Sequence, residues 1–523
     1  MSKLLIGGDF SGIQPYLYQV ISKNASKALK GRSFYMKMLS DAVTRLILDR
    51  LGLPQSNCIY SSGGCFYIEA PDTEEVKTQL ELLRTEIERK MFSAHGGVLY
   101  VAIDWVRIDE DNDDHLTEYW HQLFVKRDKL KQHRLSSIIE AEPGSFFEPA
   151  QPELDSSSGN DQEIDIGKKL KDAKHMLVSS TRLSTLSGGA LEVNPAGLGI
   201  FFYLLDGKDY SKAKSLLGQA GIDDIDFGET PVNTKKTFEE LCDNDKAGNK
   251  KDSFTRMGVL RMDVDNLGTI FQNAANKPHP SLNDYGELSR QLDYFFTKRL
   301  SAIYNSLDPD HSFIVYSGGD DVFAVGRWDV IIKLAERIHK EFCEYMGNDP
   351  MYSISGGISI VEPKFPIMRA ALYSGEEEDN AKGHCQKNSI SFFSTPLRWN
   401  DEFVCVKALK DEMVRLLTLG ANPLDKSFLS KLMNHCANAK IKNHKITVMK
   451  TFWMLTYDLG RMKGRVSDSD AKNLIENCIK EVCCKTTATL NGHPLQTEYH
   501  PLELWTFAAR WAELEYRKDR SNN

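Results

Sequence analysis

Two stretches decide how this chain is read: Val259-Leu260-Arg261-Met262-Asp263-Val264-Asp265-Asn266-Leu267-Gly268 and, about fifty residues on, Phe313-Ile314-Val315-Tyr316-Ser317-Gly318-Gly319-Asp320-Asp321-Val322-Phe323. In an extended strand alternate side chains share a face, so Arg261, Asp263 and Asp265 point one way while Leu260, Met262 and Val264 point the other. One face is polar and the other feeds a core. The second stretch reads as two apolar strands flanking Gly318-Gly319, residues free to take the positive φ that a tight hairpin turn requires. Asp320 and Asp321 then sit at the hairpin tip.

If the two strands are neighbours, three or four carboxylates converge. Such a cluster repels itself and either takes up protons or recruits cations. Hard oxygen ligands without His or Cys favour magnesium or manganese over zinc. Carboxylate-held divalent ions beside a glycine turn that admits phosphates are the parts of phosphoryl or nucleotidyl transfer. The competing reading is a solvated acidic turn, and the Asp-Val-Asp strand favours the catalytic one.

Composition bounds the rest. A chain of 523 residues holds three or four domains, and 41% hydrophobic with 26% charged residues is ordinary for a globular protein. The most apolar run, Leu198 to Leu205, is far too short to span a bilayer, and Met1-Ser2-Lys3 leads into a strand without a signal-peptide pattern, so a cytoplasmic protein with no membrane partner is expected. A net charge of −8 argues against a surface that coats nucleic acid throughout. The ten cysteines, without a paired Cys-x-x-Cys, read as reduced thiols, and Cys483-Cys484 as helix packing.

In chain order, Leu4 to Asp9 is a strand, a helical stretch runs to Arg50, Cys58 to Ile68 is a hairpin around Gly63-Gly64, a helix spans Thr73 to Met91 and a strand Gly97 to Trp105. Strand, helix, hairpin, helix, strand is also the order after Gly258. Asp9 and Asp263 lie 254 apart, Gly63 and Gly318 255 apart, and Gly96-Gly97-Val98 and Gly356-Gly357-Ile358 260 apart, which indicates an internal duplication. The first copy has lost its chemistry: Ser11 stands for Asp265, and Cys65 and Phe66 replace Asp320 and Asp321. Between the copies, Glu140 to Asp165 reads as a flexible loop and Asp206 to Asp252 as polar and poorly periodic. In the second copy the spacing predicts helices over Asp284–Asn305, Trp328–Tyr345 and Phe365–Lys382, with strands over Tyr352–Val361 and Ser389–Phe393. From Trp399 onward the pattern is helical throughout.

Asp9-Phe10-Ser11-Gly12-Ile13-Gln14, Leu29-Lys30-Gly31-Arg32-Ser33-Phe34-Tyr35, Met262-Asp263-Val264-Asp265-Asn266-Leu267-Gly268, Gly318-Gly319-Asp320-Asp321, Ser355-Gly356-Gly357-Ile358, Ala381-Lys382 and the helical tail together resemble the polymerase-like large subunit of type III CRISPR effector complexes, closer to the Csm than to the Cmr subtype. The likeness covers nearly the whole chain. It implies an α+β fold: two ferredoxin-like palm domains of the nucleotidyl cyclase and polymerase kind, a small inserted domain and a C-terminal helical bundle. The expected limits are a degenerate first palm at 1–110, an acidic and helical linker with the insert at 111–256, the second palm with the active site at 257–398, and the helical domain at 399–523.

The implied activity is synthesis of cyclic oligoadenylate second messengers from ATP for antiviral defence, switched on when guide RNA pairs with target RNA. Asp263, Asp320 and Asp321 would be catalytic and hold two magnesium or manganese ions. Asp265, Asn266, Gly318, Gly319 and Lys382 would bind the ATP substrate, Lys382 by neutralising phosphate charge and the glycines by letting the nucleotide approach. A ribose hydroxyl of one ATP would attack the α-phosphate of another, releasing pyrophosphate. The implied partners are the backbone and small subunits of the complex, with its guide and target RNA.

Two features depart from many members. The chain opens at the first palm strand and none of its thirteen histidines is followed by Asp, so the expectation is a large subunit lacking the N-terminal His-Asp nuclease domain and its single-stranded DNA cleavage. Cys242 alone cannot supply the cysteine-rich zinc element found between the palms of many relatives. Other readings of the same residues are joining of ATP to S-adenosylmethionine, a silent structural subunit, and a free-standing cyclase, which the duplicated palm disfavours. Lys23, Lys27, Lys30, Arg32 and Lys37 form a basic cluster that would meet RNA phosphates or a neighbouring subunit, unless it is a solvated helix face.

Overall fold

The structure is a computed structural model that describes residues 2–20, 25–108, 116–141, 144, 158–186, 190–213, 222–226, 237–243, 254–274, 282–384, 387–418, 423–439, 441–442, 444–446, 450–483 and 489–521. Its first unit runs β1 (Lys3–Ser11), α1 (Ile13–Tyr18), α2 (Ala25–Leu51), β2 (Cys58–Ser62), β3 (Cys65–Pro71), α3 (Glu74–His95) and β4 (Tyr100–Ile108), with α4 (Leu116–Gln132) following. The antiparallel sheet has the order β2-β3-β1-β4, the arrangement of a ferredoxin-like unit.

A second four-stranded sheet, β6 (Leu191–Val193), β7 (Phe201–Asp206), β5 (Ala173–Ser179) and β8 (Ile222–Asp226), lies between the two copies in sequence. Then β9 (Met257–Val264), β10 (Ser312–Gly318), β11 (Asp321–Arg327) and β12 (Ile354–Val361) repeat the first topology as β10-β11-β9-β12, extended by β13 (Ser389–Phe392) and β14 (Thr395–Arg398).

Period-two alternation on β9 gives the second sheet two buried faces rather than one buried and one polar. Leu260, Met262 and Val264 join a core shared with the C-terminal helices, while Met257 and Val259, with Phe313 and Phe323, join the core of the first unit. Only Arg261 and Asp263 interrupt this second apolar face. The polar residues therefore face the seam between the two ferredoxin-like units.

The duplication stands in topology, but two of its sequence landmarks shift. Asp9 pairs with Cys65 as Asp263 pairs with Asp321, and Ser62 pairs with Cys65 as Gly318 with Asp321. Cys65 therefore stands for Asp321 and Gly64 for Asp320, one residue from the sequence-derived match. The third landmark is a coincidence. Gly96 caps α3 at a φ of 56°, whereas Gly356 and Gly357 lie inside β12, where the register places Ile103 and Asp104 in the first copy.

Ser158–Lys169 is helical where a loop is expected, and residues 142–143 and 145–157 of that stretch lie outside the described residues. Ile166 and Leu170 are buried beside α2. A Cβ on Gly31 would lie 1.6 Å from the Glu163 carbonyl oxygen, and one on Gly167 2.1 Å from that of Lys27. Two bare backbones let the helices touch, and the acidic composition concealed this. Of the run Asp206 to Asp252, residues 214–221, 227–236 and 244–252 lie outside the described residues, and β8 occupies part of the remainder.

The C-terminal region is helical over Val404–Thr418, Ser427–Asn438, Lys450–Lys463, Ser469–Cys483 and Pro501–Ser521, but two short hairpins, Ile441–Lys442 with Lys445–Ile446 and Thr489–Leu490 with His493–Pro494, interrupt it. Cys483 is exposed rather than packed, and Cys484 lies outside the described residues. Among the described residues no helix is long and apolar enough to cross a membrane.

The basic cluster is not one surface. Lys30 is 6% exposed with its ammonium over the Phe313 ring, and Arg32 is 8% exposed, donating to the carbonyls of Tyr16 and Gln19 at 2.6 and 2.7 Å. Lys23 lies outside the described residues.

Gly31→Ala is expected to destabilise the protein by roughly 1–3 kcal/mol, the usual range for overpacking. A lowered urea midpoint reads this, and an unchanged midpoint contradicts the contact between these two helices.

Candidate active site

The site is built at the end of β9 and the turn between β10 and β11. Gly319 takes a φ of 68°, leaving Asp320 in the turn and Asp321 as the first residue of β11, directly across from Asp263. One ligand oxygen from each of Asp263, Asp320 and Asp321 lies within 4.8 Å of the others, and all three residues are half-buried. The opposing turn of the first palm closes against this one: a Cβ on Gly319 would sit 3.1 Å from the Cα of Gly63. Glycine is needed on both sides of that contact.

Crowding sets the electrostatics. Burial, and then the neighbouring Asp263, push the Asp320 carboxyl up to about 7. Asp321 is raised as well, by burial and then by Asp320 and Asp263. Lys382, in the last turn of the Ile367–Gly383 helix, bonds to Asp263 and to Glu378, the latter at 2.7 Å. Burial alone would lower its pKa; Asp263 and Glu378 outweigh burial and raise it. Lysine thus supplies one positive charge to a cluster that needs more. Three carboxylates with hard oxygen donors at this spacing fit magnesium or manganese.

Asp265 and Asn266 lie apart from the cluster. Asp265 is 1% exposed, and its Oδ2 accepts the Ser353 and Ser355 hydroxyls at 2.7 and 2.9 Å and the Asn388 amide at 3.0 Å. It braces the corner after β9 against β12 and the approach to β13. Asn266 has a φ of 55° and accepts from Lys387 at 2.7 Å. Gly318 ends β10, paired with Asp321, and Gly319 and Asp320 form the turn itself, so the turn lies one residue later than the Gly318-Gly319 pair expected from sequence.

Beside the carboxylates opens a cleft of about 360 Å³ between the palms. The first palm contributes Phe10, Ile13 and Tyr18 to its wall, and the second contributes Arg261, Tyr316, Asp321 and Phe323. Sequence reasoning placed Arg261 on the Asp263 face without giving it a role, and it passed over Glu378. The signal for Glu378 was its spacing of four from Lys382, which puts both on one helix face.

A family model described as Csm1 subunit domain B matches residues 2–150, and one described as Cas10/Cmr2, second palm domain, matches residues 256–391. A curated relative from Enterococcus italicus, a CRISPR system single-strand-specific deoxyribonuclease Cas10/Csm1 of subtype III-A, is 28% identical over 468 residues, covering 83% of this chain and 60% of the relative. The chain thus spans about 60% of that protein's length.

Among solved structures, a Csm1–Csm4 cassette in complex with cA3 matches with a TM-score of 0.70 at 21% identity, covering 99% of this chain and 69% of that one. The cassette in complex with one ATP matches with a TM-score of 0.67 at 22% identity, covering 99% and 70%. The fold is that of these Csm1 chains, and the resemblance to the type III large subunit of Csm subtype holds along both matched regions.

The raised Asp320 carboxyl has a consequence for stability. Between its ordinary 3.8 and about 7 the folded protein holds a proton that the unfolded chain has released. The part of the stability in EDTA that Asp320 contributes is therefore expected to fall as pH rises through this window, while buried His95 and His339, lowered to about 4, act in the opposite sense, so Asp320 is read as the difference between wild type and Asp320→Asn. Urea midpoints of wild type and Asp320→Asn from pH 4 to pH 8 test this: the wild-type midpoint is expected to fall relative to the variant's as pH rises, and a relative rise contradicts it.

Proposed function

We propose that this chain serves as the large subunit of an RNA-guided type III CRISPR effector complex and that its second palm joins ATP molecules into cyclic oligoadenylates. The observation that carries the reading is the gathering of Asp263, Asp320 and Asp321 beside Lys382, with Asp321 lining the cleft between the two units. Its support from comparison is the Cas10/Cmr2 second-palm match and the likeness to Csm1 chains solved with cA3 and with ATP.

In this reading Asp263, Asp320 and Asp321 hold two magnesium or manganese ions. When bound, the ions activate the attacking hydroxyl and offset charge at the phosphate. Gly318 and Gly319 carry no side chain to obstruct an approaching nucleotide. Lys382 exchanges its pairing with Asp263 for phosphate oxygens. The aromatic wall of the first palm takes the second nucleotide, so that a ribose hydroxyl of one ATP lies in line with the α-phosphate of the other and pyrophosphate leaves. The first palm then acts as half of the substrate cleft, although its own Cys65 and Gly64 cannot replace the carboxylates.

The partners are a Csm4-like backbone subunit, small subunits, and guide and target RNA in the cytoplasm. The domain limits in this reading are 1–110, 111–256, 257–398 and 399–523, with the helical domain and first palm offering the surfaces for assembly.

The test is reconstitution with guide and target RNA, ATP and magnesium, with and without S-adenosylmethionine, followed by mass spectrometry of the products. Oligoadenylate that disappears with Asp320→Ala/Asp321→Ala is the expected result. A product that forms only with S-adenosylmethionine, or no product at all, overturns it.

A further inference from the structure

Beneath the cleft runs a chain of charges that neither the hairpin nor the carboxylate cluster requires. Glu378 is 6% exposed; its Oε1 accepts from Lys382 at 2.7 Å and its Oε2 lies 3.2 Å from Nε of Arg261. Two glycines make room for the arrangement. A Cβ on Gly357 would lie 2.1 Å from the Glu378 amide nitrogen, and one on Gly375 2.6 Å from Nη1 of Arg261. The helix therefore rests on bare strand, and the guanidinium crosses bare helix to line the cleft. Buried ion pairs of this kind add little net stability relative to apolar packing, so stability alone gives no account of them.

The first palm provides an internal control. Lys131, on α4, reaches Asp9 at 2.5 Å just as Lys382 reaches Asp263, so the Asp–Lys pair is present in both copies. The strand position of Arg261, however, is Gly7 in the first palm. Four residues before Lys131 stands Arg127 rather than an acid, and it donates to the Tyr67 hydroxyl at 2.9 Å. The arginine and its carboxylate tether occur only in the palm that has three clustered carboxylates.

Resting on the transfer reaction proposed above, we propose that Arg261 contacts a phosphate of the nucleotide in the cleft and that Glu378 is the positioning residue that holds Arg261 and Lys382 toward it. Glu378 engages Nε and Nη1 lies over Gly375, so Nη2 is the group through which Arg261 donates to a phosphate. Glu378 also keeps Lys382 tethered after Asp263 turns to a metal ion. Four carboxylates then face two cationic side chains, and two divalent ions would reverse that balance to suit a triphosphate.

The experiment titrates a non-hydrolysable ATP analogue with magnesium into the assembled complex by calorimetry, and measures steady-state kinetics with ATP. The variants are Arg261→Gln, Arg261→Lys, Glu378→Gln and Glu378→Asp. Arg261→Gln is expected to weaken analogue binding roughly tenfold or more, the scale of one lost charged hydrogen bond. Arg261→Lys recovers part of it. Glu378→Gln is expected to raise KM about tenfold with kcat changed far less, and Glu378→Asp to restore part of the loss.

Analogue binding by Arg261→Gln within about twofold of wild type overturns the assignment, as does a Glu378→Gln variant whose thermal midpoint drops while KM stays put. If wild type makes no nucleotidyl product yet Arg261→Gln loses analogue binding, the phosphate site stands and the transfer reading falls.

Discussion

Mutual repulsion among Asp263, Asp320 and Asp321 is the constraint on which the rest of the site depends. Three half-buried carboxylates within 4.8 Å of one another cannot all be charged without compensation. Lys382 supplies one charge, and a proton on Asp320 lessens the remainder. Both are weak substitutes for divalent ions. The fold therefore carries a standing cost at the tip of the β10–β11 hairpin that cation binding relieves, and functional sites commonly carry such local conflict.

The first palm is what makes the arrangement a cleft rather than an exposed acidic turn. Gly63 and Gly319 bring the two hairpin turns into backbone contact, and α1 lays Ile13 and Tyr18 along the wall. Arg32, buried behind that wall, satisfies the Tyr16 and Gln19 carbonyls at the end of α1. Loss of the first copy's carboxylates therefore left its structural contribution intact. A side chain at either glycine would part the turns and open the acidic cluster to water.

What the sequence disclosed follows from how local the signals are. The β9 strand and the β10–β11 hairpin were legible because period-two alternation and two adjacent glycines act within a few residues, and the helix limits Trp328 to Tyr345 agree with the structure residue for residue. Asp265 was less so: its spacing from Asp263 suggested a shared site, but the strand ends at Val264 and the side chain turns to Ser353 and Ser355. Lys30 and Arg32 read as solvent-facing because a helix gives no local sign of a tertiary neighbour on its polar side. The Ser158–Lys169 helix was hidden for the same reason, since Gly31 and Gly167 matter only once two distant segments meet. The Arg261–Glu378 contact, 117 positions apart in sequence, belongs to the same class.

The most direct measurement is anomalous diffraction from crystals of the protein grown with manganese and a non-hydrolysable ATP analogue. The account predicts two manganese peaks about 3.5–4 Å apart among Asp263, Asp320 and Asp321, with Lys382 moved from Asp263 to a phosphate oxygen. A bound analogue with Lys382 still on Asp263 and no manganese at the three carboxylates would contradict it.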